Sequence, residues 1–206
     1  FFGEVPLITS VLTAEEYQQE RAPVDEVYEL IIQDLTDCIP LLPEKSELSQ
    51  AEMSRATKGA ARSLLGKVYL FREMWEEAEQ EFSRVIMSEE YGLEENYSDI
   101  FTLDHQHGTE SIIEFNFTDI RGTSWDGPYS YMEGNIDIQL MGIRDLVMNS
   151  GLPEALAPGW GFIKPTEDLV YQFTEHADPV RLDANIIYGD SLIEQGASFN
   201  DDFGYE

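Results

Sequence analysis

The 206-residue chain carries 12 Lys and Arg against 41 Asp and Glu, a formal charge of −29. Phosphate recognition needs clustered cations, so nucleic acid is not an expected partner, and an anionic membrane surface would repel the chain. Apolar residues make up 42%, enough for a packed core, and the acidic surplus serves first of all solubility.

The opening "FFGEVPLIT" lacks an initiator Met and starts on buried-type residues, and "NDDFGYE" ends without a terminating element. Both are expected to be interior to a longer protein. Neither a basic-then-apolar leader nor an apolar run of membrane-spanning length is present in the sequence. Cys38 stands alone in an amphipathic stretch, so it is expected to be a small buried apolar residue rather than a lipid-bearing or reactive thiol.

The first predicted helix covers 23–42. Pro23 suits the first helical position and Asp25 and Glu26 favour the first turn. Val24, Val27, Ile31, Leu35, Cys38 and Leu42 make one apolar stripe, which Pro40 and Pro43 terminate. Residues 44–54 read as a polar loop. A second helix, 58–72, is capped by Thr57. Leu64, Val68 and Phe71 form one row on it, and Ala61, Leu65 and Tyr69 the next. Gly59 and Gly66 each cost about 1 kcal/mol against alanine, so close approach of another helix is expected there. The third helix, 75–88, presents Trp75, Ala78, Phe82, Val85 and Ile86 inward. Leu65-Gly66-x-x-Tyr69 followed by Ala78 and Phe82 matches the tetratricopeptide spacing, with Arg62 in place of the first Trp and Glu90 in place of the closing Pro. One such hairpin is too few for a solenoid, so further helices are expected elsewhere.

Beyond residue 90 the texture changes. Ile113, Phe115 and Phe117 alternate with Glu114 and Asn116, which predicts a strand over 110–117. Residues 118–135 read as a long irregular loop with Gly and Pro punctuation. "GIRDLVMNSG" is too short to assign, and 158–166, "PGWGFIKPT", is a glycine-bracketed turn. A helix is predicted over 165–176 with Thr166 as its cap, then a turn and a short strand at 184–188.

Taken in order, "FFGEVPLIT", "PVDEVYELIIQDLTDCIPLLP", "RATKGAARSLLGKVYLF", "WEEAEQEFSRVI", "YGLEENYSDIF", "ESIIEFNF", "GWGFIKPTEDLVYQF" and "DPVRLDANIIY" resemble the SusD/RagB family of Bacteroidetes surface lipoproteins, over most of the chain. The resemblance implies a mainly α fold, a tetratricopeptide-like hairpin scaffold carrying a loop-rich second part with short strands. Residues 1–206 would then be part of a single SusD-like domain, with 1–90 the scaffold and 91–206 the ligand-facing portion. It also implies a lipid-anchored protein on the outer membrane. Such a protein is non-catalytic, uses no cofactor, binds oligosaccharide or another nutrient, and docks on a SusC-like TonB-dependent transporter. The leader, the anchoring cysteine and the far C-terminal region of that pattern are not in this sequence.

Sugar rings have apolar faces edged with hydroxyls, so a site combines aromatic planes with polar rims. Trp125, Tyr129 and Tyr131 crowd one glycine-containing loop, with Asp126 as an acceptor among them. Pinning the loop to the helices is the competing role for Trp125 and Tyr129, and packing is preferred for Tyr131. Trp160 lies between two glycines, where packing also leads binding; Trp75 is assigned to the core. His105 and His107 beside Asp104 suggest a metal site only weakly, for no third ligand is evident, and a solvent-exposed loop is preferred. Glu89 and Glu90 diverge on a helix, and no nucleophile elbow, phosphate loop or HExxH occurs. The leading function is therefore non-catalytic glycan binding. A protein-interaction scaffold is the alternative, with a non-glycan nutrient as ligand, and an enzyme comes third.

Overall fold

The computed structural model describes residues 2–116, 140–144, 146–147, 158–162 and 164–199. The chain divides into two compact units, Phe1–Glu95 with Leu103–Phe115, and Asn96–Thr102 with Asn116–Glu206.

The first unit is built on three helices: α1 (Val24–Cys38), α2 (Lys58–Phe71) and α3 (Trp75–Ile86). Helix α1 begins after Pro23, carries Asp25 and Glu26 in its first turn, and passes into a 3-10 turn, Ile39–Leu41, at Pro40. Its contact line runs through Ile32, Leu35, Cys38 and Leu42, which pack on Ile39, Ala61 and Leu65. Ile31, placed on the predicted stripe, is exposed instead. Successive residues on a helix lie far apart around the axis, so a stripe anchored on Ile32 carries Ile31 off the contact. Residues 44–54 are more ordered than a loop. They hold two 3-10 turns, Lys45–Glu47 and Gln50–Glu52, each with a reciprocal capping box.

Thr57 caps α2 as expected: its hydroxyl accepts from the Ala60 N–H at 3.2 Å. Helices α2 and α3 are joined through Arg72, Glu73 and Met74 and pack on each other; Leu65, Gly66 and Val68 of α2 and Ala78, Glu81 and Val85 of α3 are buried. A Cβ on Gly66 would stand 2.8 Å from the Phe82 ring, so glycine is required by the helix contact the spacing predicts. At Gly59 the neighbour is the ring of Tyr91, from the segment after α3, rather than a helix. Glu81 is buried between Arg62 of α2, at 3.0 Å, and Arg84 one turn on. A carboxylate there is tolerable only because two guanidinium groups meet it.

Further expectations in this unit are corrected. Trp75 is 60% exposed. A helical side chain leans toward the N-terminus, and at the first position of α3 there is no earlier turn beneath it to pack on. Ile86, one residue past buried Val85, is turned to the outside, and Leu64 and Phe71 of the outer α2 row are exposed. The segment 110–116 forms no strand. Its polar groups are met from elsewhere, since Ser111 O accepts from Lys45 and the Glu114 carboxylate accepts from the His107 N–H. Phe117 lies outside the described residues. The alternation is therefore not matched by a strand, and no neighbouring strand completes a ladder with this segment among the described residues.

The second unit contains a 3-10 turn, Tyr97–Phe101, and helices α4 (Glu167–Glu175), α5 (Pro179–Asn185) and α6 (Gly189–Glu194). Its strands are two-residue pieces: β1 (Ile143–Arg144), β2 (Leu146–Val147), β3 (Pro158–Gly159) and β4 (Ser198–Phe199). β1 pairs in parallel with β3, and β2 antiparallel with β4. The Thr166 hydroxyl caps α4, accepting from Leu169 N–H at 3.3 Å, as its sequence predicts. The predicted strand at 184–188 is overturned: residues 179–185 are helical. Asp178 accepts from the Arg181 N–H at 3.1 Å, and Pro179 occupies the first position. A capped proline start outweighs the β-branched residues that follow. The apolar core of this unit is Leu146, Leu192 and Ala197, flanked by Ile143 and Phe199.

Candidate functional site

Trp125, Asp126, Tyr129 and Tyr131 lie outside the described residues, as does the loop 118–135 that carries them. Of the predicted site residues, Trp160 is described, and its surroundings explain the glycines beside it. β3 runs parallel to β1 as far as Gly159 and then turns back. The Gly161 N–H donates to Gly142 O and the Phe162 N–H to Leu140 O, each at 2.9 Å. Gly161 has φ of +62°, and a Cβ there would come within 3.0 Å of the Arg144 Cβ. Both its conformation and its clearance demand glycine.

The reversal sets two aromatic rings side by side. Trp160 and Phe162 have centroids 5.5 Å apart and planes inclined by 51°. Trp160 is 38% and Phe162 67% exposed. An exposed ring pair has the chemistry to stack against a ligand with apolar faces. Phe162 was not singled out by the sequence reading; the signal available was a second aromatic two residues after Trp160, across a lone glycine.

The histidines of the first unit do a different job. His105 Nδ1 lies 3.3 Å from Glu94 and His107 Nδ1 3.5 Å from Glu114. Among the described residues no group of three or more His, Cys, Asp and Glu converges as a metal would require. The surrounding bonds are those of a loop stapled to its base. Thr109 donates to Glu94 at 3.0 Å, and this bond, followed by that of His105, holds the Glu94 carboxyl below the usual glutamate range. Lys45 Nζ donates to the carbonyls of Gly108 and Ser111 and sits 5.3 Å from the Tyr91 ring centroid. Burial lowers the Lys45 ammonium and raises the Tyr91 phenol, whose oxygen is 2.8 Å from that of Thr57.

Known proteins share this arrangement of sequence and fold. A SusD-like family model, described as starch-binding and associating with the outer membrane, matches residues 1–70. A solved structure, a laminarin-binding SusD-like protein, is 31% identical, with a TM-score of 0.80, over 95% of this chain and 43% of its own. The chain belongs to the SusD/RagB family. A curated SusD-like protein, P25 of Formosa agariphila, is 26% identical over 168 residues, 76% of this chain. Surface glycan-binding protein A of Bacteroides uniformis shares the fold, with a TM-score of 0.74 at 20% identity over 98% of this chain and 40% of its own. This SusD-like chain spans 32% of the length of the Formosa relative. Its fold is mainly α with a tetratricopeptide-like hairpin, as predicted. No helix among the described residues is long and apolar enough to cross a membrane.

Proposed function

We propose that this chain is part of a non-catalytic surface protein that binds oligosaccharide and delivers it to a SusC-like TonB-dependent transporter, without a cofactor. Both compact units belong, in this reading, to a single SusD-like domain, with 1–90 as scaffold and 91–206 facing the ligand. The whole protein is lipid-anchored at the outer face of the outer membrane. The observation that carries the reading is the exposed Trp160–Phe162 pair in a chain 31% identical to a laminarin-binding relative. Trp125, Asp126, Tyr129 and Tyr131 are proposed, from the sequence alone, as further ligand contacts. Neutral sugar also suits a chain of charge −29, which would repel anionic ligands.

Affinity electrophoresis in gels containing laminarin, starch or xyloglucan tests this. The chain is expected to be retarded by at least one of them. Trp125→Ala with Tyr129→Ala is expected to abolish the retardation while shifting Tm by less than about 3 °C, as for surface residues. Unretarded migration in every gel would remove the glycan reading, and a collapsed Tm in the double variant would make those rings core.

A further inference from the structure

We infer that residues 95–104 form a strap that opens on its own, its neck fixed in the first unit and its tip latched to α5 by Tyr97. The chain leaves the first unit after Glu95, runs within the second as Asn96–Thr102, and returns to the first at Leu103. The two ends of this excursion are tied to each other. The Glu94 carboxylate accepts from Thr109 at 3.0 Å and lies 3.3 Å from His105 Nδ1. The Glu94 N–H donates to the Glu110 carboxylate at 2.9 Å, and the Gly92 N–H to Thr109 O at 3.1 Å. A short surface segment with its ends tied together in this way is a loop of the Ω type.

The tip is held differently. Asn185 Nδ2 donates to the Tyr97 hydroxyl at 3.1 Å, and the Arg181 guanidinium carbon lies 5.3 Å from the Tyr97 ring centroid. Both partners belong to α5 and are themselves positioned there. Arg181 pairs with Asp178 at 2.6 Å, and Asn185 donates a second bond to Arg181 O at 2.8 Å. Phe101 meets the Tyr97 ring edge-on, with centroids 5.7 Å apart. It is largely exposed, however, and no residue of the Tyr97–Phe101 turn is buried. A segment tied at its ends, with no buried side chain between them, opens locally before the structure around it does. Tyr97 joins the strap to α5 by hydroxyl and by ring, so it is the latch.

Hydrogen exchange of the full chain, read by mass spectrometry of its peptides, tests this. The N–H groups of Asp99 and Thr102 bond Asn96 O and Asp99 O inside the strap, so their exchange reports its opening. Tyr97→Ala removes an exposed cation–π contact and a hydrogen bond together, and is expected to speed exchange of the 96–102 peptide about tenfold. Peptides from α2 and α3 are expected to stay within about twofold of the parent, as for a local opening. Tyr97→Phe keeps the ring over Arg181 and Asn185→Ala removes the donor; each is expected to give about a threefold increase. Unchanged exchange of 96–102 in Tyr97→Ala would overturn the inference, because another group would then hold the tip. Equal acceleration of α2 and α3 would also overturn it, since the strap would then open only with the first unit. So would a 96–102 peptide that exchanges at the free-chain rate in the parent protein, where the latch would already be open.

Discussion

At the scale of single residues, the two α2 glycines answer to different neighbours, and the difference is measurable. Gly66 faces a ring of the partner helix, while Gly59 faces the Tyr91 ring, whose hydroxyl is bound to the buried Thr57 cap. Alanine at Gly66 gains about 1 kcal/mol of helix propensity but forces the Phe82 ring aside, an overpacking cost of about 1–3 kcal/mol. Gly66→Ala should therefore lose about 1 kcal/mol. Gly59→Ala should lose more, about 2 kcal/mol. Displacing Tyr91 also breaks its bond to Thr57, worth about 1 kcal/mol, and Gly59 sits in the first turn, where helix propensity counts least. Urea unfolding of the two variants gives the order. A Gly59→Ala protein as stable as the parent would mean that the Tyr91 ring is not held against the helix.

At the scale of elements, three helices end by one device that the sequence hides in two cases. After α2 the N–H of Glu73 bonds Leu70 O and that of Met74 bonds Tyr69 O; after α4 the N–H of Ala177 bonds Thr174 O and that of Asp178 bonds Phe173 O; after α6 Gly196 and Ala197 do the same to Ile193 and Leu192. Each is a Schellman closure with a left-handed residue at its corner, at φ of +59°, +51° and +92°. Only the third uses glycine. A non-glycine residue in this conformation costs about 1–2 kcal/mol, and the entropy that glycine adds to the unfolded chain, about 0.5–1 kcal/mol, offsets only part of that. Glu73→Gly and Ala177→Gly should each raise stability by about 0.5–1 kcal/mol, read as a higher urea midpoint at constant m. A lower midpoint in both would show that side-chain contacts at these corners outweigh the backbone cost. These corners also mark where sequence reading stops. The starts of α1, α2 and α4 were legible because proline and threonine act locally on the backbone next to them. The same holds for the α2–α3 contact, where small residues recur at fixed spacing. Glu73 and Ala177 gave no sign of their conformation, since a residue tolerated at a cost looks like any other. The pattern at 110–116 failed for the opposite reason: alternation is local, but a strand needs a partner the local sequence does not name. Of the candidate site, Trp160 and its glycine neighbours stood out in the sequence, with packing ahead of binding as the expected role. Phe162 and the inclination of the pair depend on a backbone reversal that only the fold supplies.

For the whole molecule, the charge of −29 is a single fact with two opposed consequences. At neutral pH the carboxylates repel one another more than 12 cations can compensate, which destabilises any compact state. Surface ion pairs such as Arg55–Glu52 at 3.0 Å and Arg181–Asp178 at 2.6 Å are screened by water and offset little of this repulsion. Shortening the Debye length from about 30 Å to about 8 Å with salt weakens both effects, and the net repulsion is the larger. Tm at pH 7 should therefore rise as NaCl is brought to physiological strength. Acid acts with the other sign. Hydrogen bonds from Thr13 to Glu16, Ser49 to Glu52, Thr109 to Glu94 and Arg181 to Asp178 hold these carboxyls below their unfolded range. A group whose folded pKa is depressed stabilises fully above its unfolded value and loses that contribution as pH falls through the folded one. Below about pH 4 these staples release, and at physiological salt, where the repulsion is already screened, Tm should drop. A salt-by-pH grid of melting curves separates the two. A Tm that falls with salt at pH 7 would place the exposed ion pairs, rather than the excess of acid, in control of the molecule's stability.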